Sequence, residues 1–170
     1  RQLAFAPDGI TLALAGGDGP TWLCDPETGA LRATLEYKDS GVTAMVFSPD
    51  SARLITGTGY GKLKAWDAAT AHLAADVQAH LPFSEVTSVA VSSDGAVVAT
   101  GGYDATVHLW NAADLTARAA LTDHKGGIWK VAFTPDGKTL ATASEDMTVR
   151  LWDVASAASR GVLEGHNGRV

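Results

Sequence analysis

Little in this chain could cross-link it or hold it in a membrane. It has one cysteine, Cys24, among 170 residues, so no internal disulfide framework can form and a reducing compartment is the simplest setting. No stretch reaches the roughly 20 unbroken apolar residues that span a bilayer, and the start lacks the basic-then-apolar pattern of a signal peptide. A membrane is therefore not an expected partner, and a cytoplasmic location is expected. Positive charge is also scarce, with 13 Lys and Arg against 19 Asp and Glu and a net charge of -6. Affinity for nucleic acid comes largely from Lys and Arg displacing counterions, so nucleic acid is not an expected partner either. What the chain does have is apolar material. It is 46% hydrophobic and 19% charged, which suits a folded domain with a sizeable core and not a disordered segment.

A period near 42 residues governs the chain. The turn Ala6-Pro7-Asp8-Gly9 recurs as Ser48-Pro49-Asp50-Ser51, Ser92-Ser93-Asp94-Gly95 and Thr134-Pro135-Asp136-Gly137, with the Asp positions 42, 44 and 42 residues apart. A second anchor follows each turn: Cys24-Asp25, Trp66-Asp67, Trp110-Asn111 and Trp152-Asp153. A third precedes the turns, at Ala79-His80, Asp123-His124 and Gly165-His166. Between anchors the apolar residues alternate over short runs bounded by Gly, Pro, Asp or Asn, as in Val131-Phe133 and Val149-Leu151. Such runs read as strands of an antiparallel meander, four to a repeat. The Pro-Asp-Gly corner fits a type I turn followed by a left-handed residue. Ala65 to Leu81 and Asn111 to Leu121 have helical propensity, but register with the other copies places a turn and an outer strand in each.

This order of Gly-His, strand, Ser-Pro-Asp-Gly, strand, Asp turn and a strand ending in Trp-Asp resembles the WD-repeat β-propellers. The fourth copy matches best, through Asp123-His124, Thr134-Pro135-Asp136-Gly137, Thr142, Asp146 and Trp152-Asp153. The resemblance implies an all-β protein of four-stranded antiparallel propeller blades, about four WD-type repeats in one partial propeller. The blades fall at approximately 1-36, 37-78, 79-122 and 123-164, and 165-170 opens a further repeat. It also implies a buried hydrogen-bonded set in each blade: His80, Thr100, Asp104 and Trp110 in the third copy, and His124, Thr142, Asp146 and Trp152 in the fourth. The chemistry supports such a set, because a buried imidazole needs a partner at each nitrogen and a buried indole N–H needs an acceptor.

The second copy departs from the pattern, with Lys38 where His is expected and Tyr60 in place of Asp, though Thr56 and Trp66 remain. The first departs further, with Leu14 for the hydroxyl and Cys24 for Trp, though Asp18 is kept. Trp22 is out of register with the other tryptophans and aligns with Lys64, His108 and Arg150. Blades one and two are therefore expected to rely on apolar packing, and Cys24 to be a small buried hydrophobe.

Three classes of activity find little support. His80, His124 and His166 belong to different repeats and could not share one ion, and His72 and His108 lack a metal-ligand companion at short spacing, so no metal is expected. The Ser, Thr and His residues resemble a catalytic triad only in composition. Gly16-Gly17-Asp18-Gly19 leads into a strand, whereas a phosphate cradle needs a helix. Neither an enzyme nor a cofactor is expected.

What remains is recognition. The resemblance implies a top rim where partner peptides bind, and register places Arg1, Thr43, Thr87 and Trp129 near the starts of first strands, Glu85 two residues earlier, and Tyr103 and Glu145 beside the turn Asp. Trp129, Tyr103, Glu85 and Glu145 stand out, since an aromatic flanked by charge has the composition of an interface anchor. The alternative for Trp129 is packing between blades. The leading expectation is a non-enzymatic protein-protein interaction scaffold for signalling. The alternative is a regulatory or sensor region of a larger signalling enzyme, such as a kinase or nucleotide-dependent switch protein. Both ends cut through a first strand, so the partners expected include the remaining blades in cis, or a second copy of the chain completing an eight-blade ring by strand exchange.

Overall fold

The computed structural model describes residues 1–17, 19–37, 40–166 and 168. Asp18 and Lys38, named in the readings above, lie outside the described residues, as do Asp39 and, within 165-170, Asn167, Arg169 and Val170. The described residues run through sixteen strands: β1 (Gln2–Phe5), β2 (Leu12–Ala15), β3 (Thr21–Cys24), β4 (Leu31–Leu35), β5 (Val42–Phe47), β6 (Arg53–Thr58), β7 (Lys62–Asp67), β8 (Leu73–Gln78), β9 (Val86–Val91), β10 (Val97–Gly102), β11 (Val107–Asn111), β12 (Ala117–Leu121), β13 (Ile128–Phe133), β14 (Thr139–Ser144), β15 (Val149–Asp153) and β16 (Ser159–Leu163). They form four antiparallel meanders, β1–β4, β5–β8, β9–β12 and β13–β16. The two segments with helical propensity contain β8 and β12 instead.

The turn chemistry explains why each meander bends where it does. At the first hairpin the Ser or Thr hydroxyl donates to the Asp two residues on, in Ser48–Asp50, Ser92–Asp94 and Thr134–Asp136. The residue after that Asp is left-handed in every copy, at φ 74 for Gly9, 62 for Ser51, 71 for Gly95 and 68 for Gly137. This is the position for which the sequence supplies Gly in three copies of four.

Cross-strand register gives each sheet two unlike faces, because residues paired across an antiparallel ladder share a side. One face carries the large residues: Phe47, Leu54 and Trp66 in the second sheet, and Phe133, Leu140 and Trp152 in the fourth. The other carries small or aliphatic ones, such as Ala90, Ala99, Leu109 and Ala119 in the third. Successive sheets stack large face on small face, and three separate cores result among the described residues. Ala13, Leu23 and Leu35 meet Phe47, Leu54 and Trp66. Ile55, Leu63 and Ala65 meet Val89, Val98 and Trp110. Ala99, Leu109 and Leu121 meet Val131, Leu140 and Trp152. This alternation accounts for the abundance of alanine, since small side chains let the next sheet's aromatic residue approach.

Two glycines set the closest approach. A Cβ on Gly57 would stand 2.5 Å from Val86, and one on Gly101 would stand 2.6 Å from Ile128. The first strands β1, β5, β9 and β13 thereby lie side by side in sequence order. The large face of the first sheet is open, with Leu3 66% and Phe5 59% exposed and Trp22 beside them.

The register also resolves the first copy. Cys24 lies across from Leu12, as Trp66 lies across from Leu54 and Trp152 from Leu140. It is buried and stands in the aromatic position. Trp22 faces Leu14, the place that Lys64, His108 and Arg150 take opposite Thr56, Thr100 and Thr142.

Candidate partner-binding rim

The rim is built on polar sets that fix the loops above them. In the fourth sheet the Trp152 indole donates to Thr142 Oγ1 at 2.9 Å, Thr142 contacts His124 Nε2 at 2.7 Å, and His124 Nδ1 contacts Asp146 at 2.8 Å. The third sheet repeats this through Trp110, Thr100, His80 and Asp104, at 3.1, 2.9 and 3.0 Å. An indole N–H can only donate, so the threonine oxygen accepts it and the threonine proton goes to Nε2. Each imidazole bridges the threonine hydroxyl at Nε2 and the carboxylate at Nδ1. Both ring nitrogens are committed, which leaves neither histidine a lone pair for a metal.

The carboxylates reach further. Asp104 accepts from Leu81 N and Thr106 Oγ1, and Asp146 accepts from Lys125 N and Thr148 Oγ1. Burial would raise both acids, but these hydrogen bonds and the histidines outweigh it and hold both carboxyls well below their ordinary range. Each Asp thus ties the loop before the first strand to the turn after the second. Thr106 and Thr148 were missed in the sequence, although each stands two residues after its Asp. His108 packs edge-on to His80 at 5.0 Å, and burial together with the neighbouring His80 lowers its pKa.

The second sheet corrects one expectation. It does not rely on apolar packing alone, because Tyr37 OH donates to Thr56 Oγ1 at 3.2 Å, where Trp66 Nε1 also donates at 3.1 Å. The Tyr37 ring meets Trp66 edge-on at 5.2 Å. A phenol one residue before Lys38 fills the site of the imidazole. The signal was in the spacing: Tyr37 precedes Thr56 by 19 residues, between the 20 of His80 to Thr100 and the 18 of His124 to Thr142.

Above these sets a backbone bond closes the rim of the second, third and fourth sheets. Gly59 N donates to Gly41 O, Tyr103 N to Glu85 O and Glu145 N to Gly127 O, at 3.3, 3.0 and 2.9 Å. The residues singled out in the sequence then divide into groups. Tyr103 and Trp129, from the third and fourth sheets, meet edge to face at 5.9 Å and remain 49% and 39% exposed. Tyr103 OH donates to Glu145 at 3.2 Å. Glu85, Arg1 and Thr43 line a cavity of about 670 Å³ together with Tyr37, Gly41 and Tyr60.

Thr43 and Thr87 also join neighbouring sheets. Thr43 Oγ1 donates to Val86 O at 2.7 Å, and Thr87 Oγ1 donates to Ile128 O and to Gly101 O. Trp129 takes the equivalent place in the fourth sheet. A second aromatic pair went unread in the sequence: Tyr60 and Phe83 meet at 5.1 Å, and Phe83 is 80% exposed. Tyr60 had been read only as a lost Asp.

Comparison with known proteins identifies three repeats. Residues 29–67, 73–111 and 116–153 each match the family described as WD domain, G-beta repeat. Each match starts at or just before the last strand of one sheet and ends on the third strand of the next, and β1 to β3, with Cys24 for Trp, lie outside them. The chain is 34% identical over 86 residues to the human NACHT domain- and WD repeat-containing protein 1, covering 51% of this chain and 5% of that protein. It is 38% identical over 82 residues to WD repeat-containing protein 1 of Xenopus tropicalis, covering 43% of this chain and 14% of that one. It is also 28% identical over 104 residues to the target of rapamycin complex subunit LST8 of Rattus norvegicus, covering 61% of this chain and 32% of that protein. The chain thus spans a third or less of each relative's length. Three matched repeats, and sheets that repeat one polar set on one register, establish that the chain belongs to the WD-domain, G-beta repeat family.

Proposed function

We propose that this chain is a non-enzymatic interaction scaffold that binds a protein or peptide partner across its rim, with Trp129 and Tyr103 as anchors. WD-repeat proteins are in general non-catalytic scaffolds for other proteins, and one relative is named as the subunit of a complex. The observation that carries the finer reading is the Tyr103–Trp129 pair. Two large rings pack on each other, Tyr103 also bonded to Glu145, yet both remain open to solvent. Such rings supply contact area with few rotors to freeze on binding. A cytoplasmic setting and a signalling role belong to the same reading.

The test is the affinity of a partner recovered with the wild-type chain, measured again with Trp129→Ala. A loss of more than about 1 kcal/mol is expected, and a smaller one removes Trp129 from the anchors. A second reading makes the repeats a regulatory region of a larger signalling enzyme. It is favoured by the relative whose name joins WD repeats to a NACHT domain. A catalytic motif elsewhere in the parent gene supports it, whereas a parent made only of further repeats counts against it.

A further inference from the structure

The turns of this molecule repeat closely, and one loop breaks the pattern. Left-handed non-glycine residues recur at Ala71, Leu115 and Ala157 after the third strands, at Ala105 and Met147 after the second, and at Ser51 after the first. Phe83, at φ 64, belongs to none of these series. It lies in the loop between β8 and β9, where His80 and Val86 are separated by two more residues than His124 and Ile128. The insertion forms a tight turn, with Ser84 N donating to Leu81 O at 2.9 Å. A bulky side chain held at positive φ costs on the order of 1–3 kcal/mol, and such strain collects at binding sites. What the strained turn does is hold the Phe83 ring in water against Tyr60.

Both aromatic pairs stand on the same rim, on neighbouring blades, and carboxylates alternate with them. Glu85 shares the 670 Å³ cavity with Tyr60, and its carbonyl accepts from Tyr103 N. It therefore lies between the Tyr60–Phe83 pair and the Tyr103–Trp129 pair. Glu145, beyond the second pair, accepts from the Tyr103 hydroxyl. The order along the rim is aromatic pair, carboxylate, aromatic pair, carboxylate. Ring faces attract cations through their quadrupole, and a nearby carboxylate adds Coulomb attraction for the same charge. Among the described residues, two bases stand in these loops: Arg1, which lines the same cavity as Tyr60 and Glu85, and Lys125, which leads into the sheet of Trp129 and Glu145. The net charge of -6 favours the same sign of partner at longer range.

We infer that the rim binds an extended basic peptide segment, with arginine or lysine side chains lying against the Tyr60–Phe83 and Tyr103–Trp129 pairs and toward Glu85 and Glu145. This rests on the rim-binding reading above and adds the chemistry of the partner. It also makes Tyr60 and Phe83 binding residues beside Trp129.

The test uses short Gly/Ser peptides carrying arginine, lysine, glutamine or glutamate at the same positions, titrated calorimetrically into the 170-residue chain. Arginine and lysine peptides are expected to bind about fivefold or more tightly than glutamine peptides, and the preference is expected to shrink as salt rises. The double variant Glu85→Gln/Glu145→Gln is expected to reduce that preference to near unity while its thermal unfolding stays unchanged, because a glutamine oxygen still accepts from Tyr103. Phe83→Ala is expected to weaken only the basic peptides. If Trp129→Ala weakens binding but the peptides bind alike whatever their charge, the basic-partner inference is overturned and the rim reading stands. If no peptide binds in a way that Trp129→Ala alters, both are overturned.

Discussion

The second and fourth sheets solve one packing problem with different chemistry. In the fourth, Trp152 and Thr142 connect through His124 to Asp146, and from there to the backbone of the next loop. In the second, Trp66 and Thr56 connect to Tyr37 and the chain of bonds ends there, because Tyr60 stands where the acid would be. Thr56 and Thr142 are both fully buried, and each accepts the indole proton. The constant pair is therefore Thr and Trp, because a buried indole cannot go without an acceptor. The third member can vary, provided it is a ring with a polar tip that reaches the hydroxyl. Burial pushes the Tyr37 phenol above its ordinary value, so it remains a neutral donor. What the histidine version adds is loop attachment. What the tyrosine version adds is freedom at position 60, and the ring placed there faces the rim.

The sharpest way to break this comparison is to remove the aromatic member where it is buried and where the first copy has already lost it. Trp110→Ala should destabilise the chain by about 3–5 kcal/mol in urea unfolding, whereas Cys24→Ala should cost about 1 kcal/mol or less. Equal losses would mean that the first sheet is packed as tightly as the third.

A smaller effect separates the two kinds of third member. His124→Ala removes the ring that links Thr142 to Asp146, takes one hydrogen bond from each, and should cost about 2–3 kcal/mol, whereas Tyr37→Phe removes one hydroxyl and should cost about 1 kcal/mol. The same unfolding experiment reads both, and a Tyr37→Phe loss as large as that of His124→Ala would put the two sets on an equal footing.

The subtlest contrast appears only in acid. Asp104 and Asp146 are held below the ordinary 3.8 by their hydrogen bonds, so the unfolded chain takes up their protons first as pH falls. Their stabilisation is complete well above pH 3.8 and declines as pH falls through and below that value. Asp146→Asn should flatten the dependence of stability on pH below about 4. Tyr37→Phe, which removes no carboxylate, should leave the curve's shape unchanged. A Tyr37→Phe curve that flattens as well would show the acid dependence to come from elsewhere.

Much of this was legible in one dimension. The period gave the number of sheets, their order and the turn residues, because Pro, Asp and Gly act locally through φ and through side-chain bonds to their own backbone. The two histidine sets were legible for the same reason, each member lying at a fixed offset from a turn. Tyr37 was not, because the search was for histidine, and only the fold shows that a phenol one residue from the expected place reaches the same hydroxyl. The Tyr60–Phe83 pair was hidden more deeply. Its members come from a turn and a loop on different blades, and neither fits the repeat.

The sequence by itself determined the repeat, its sheets and the two histidine sets inside them, since these depend on contacts within about 20 residues along the chain. The tertiary structure alone decided how the sheets stack, large face on small, with Gly57 and Gly101 setting the distance. It also decided which rim residues meet: Tyr103 with Trp129 and Glu145, and Tyr60 with Phe83. Those contacts join neighbouring blades. Their geometry depends on how closely two sheets approach, which is a property of packing and not of any single repeat.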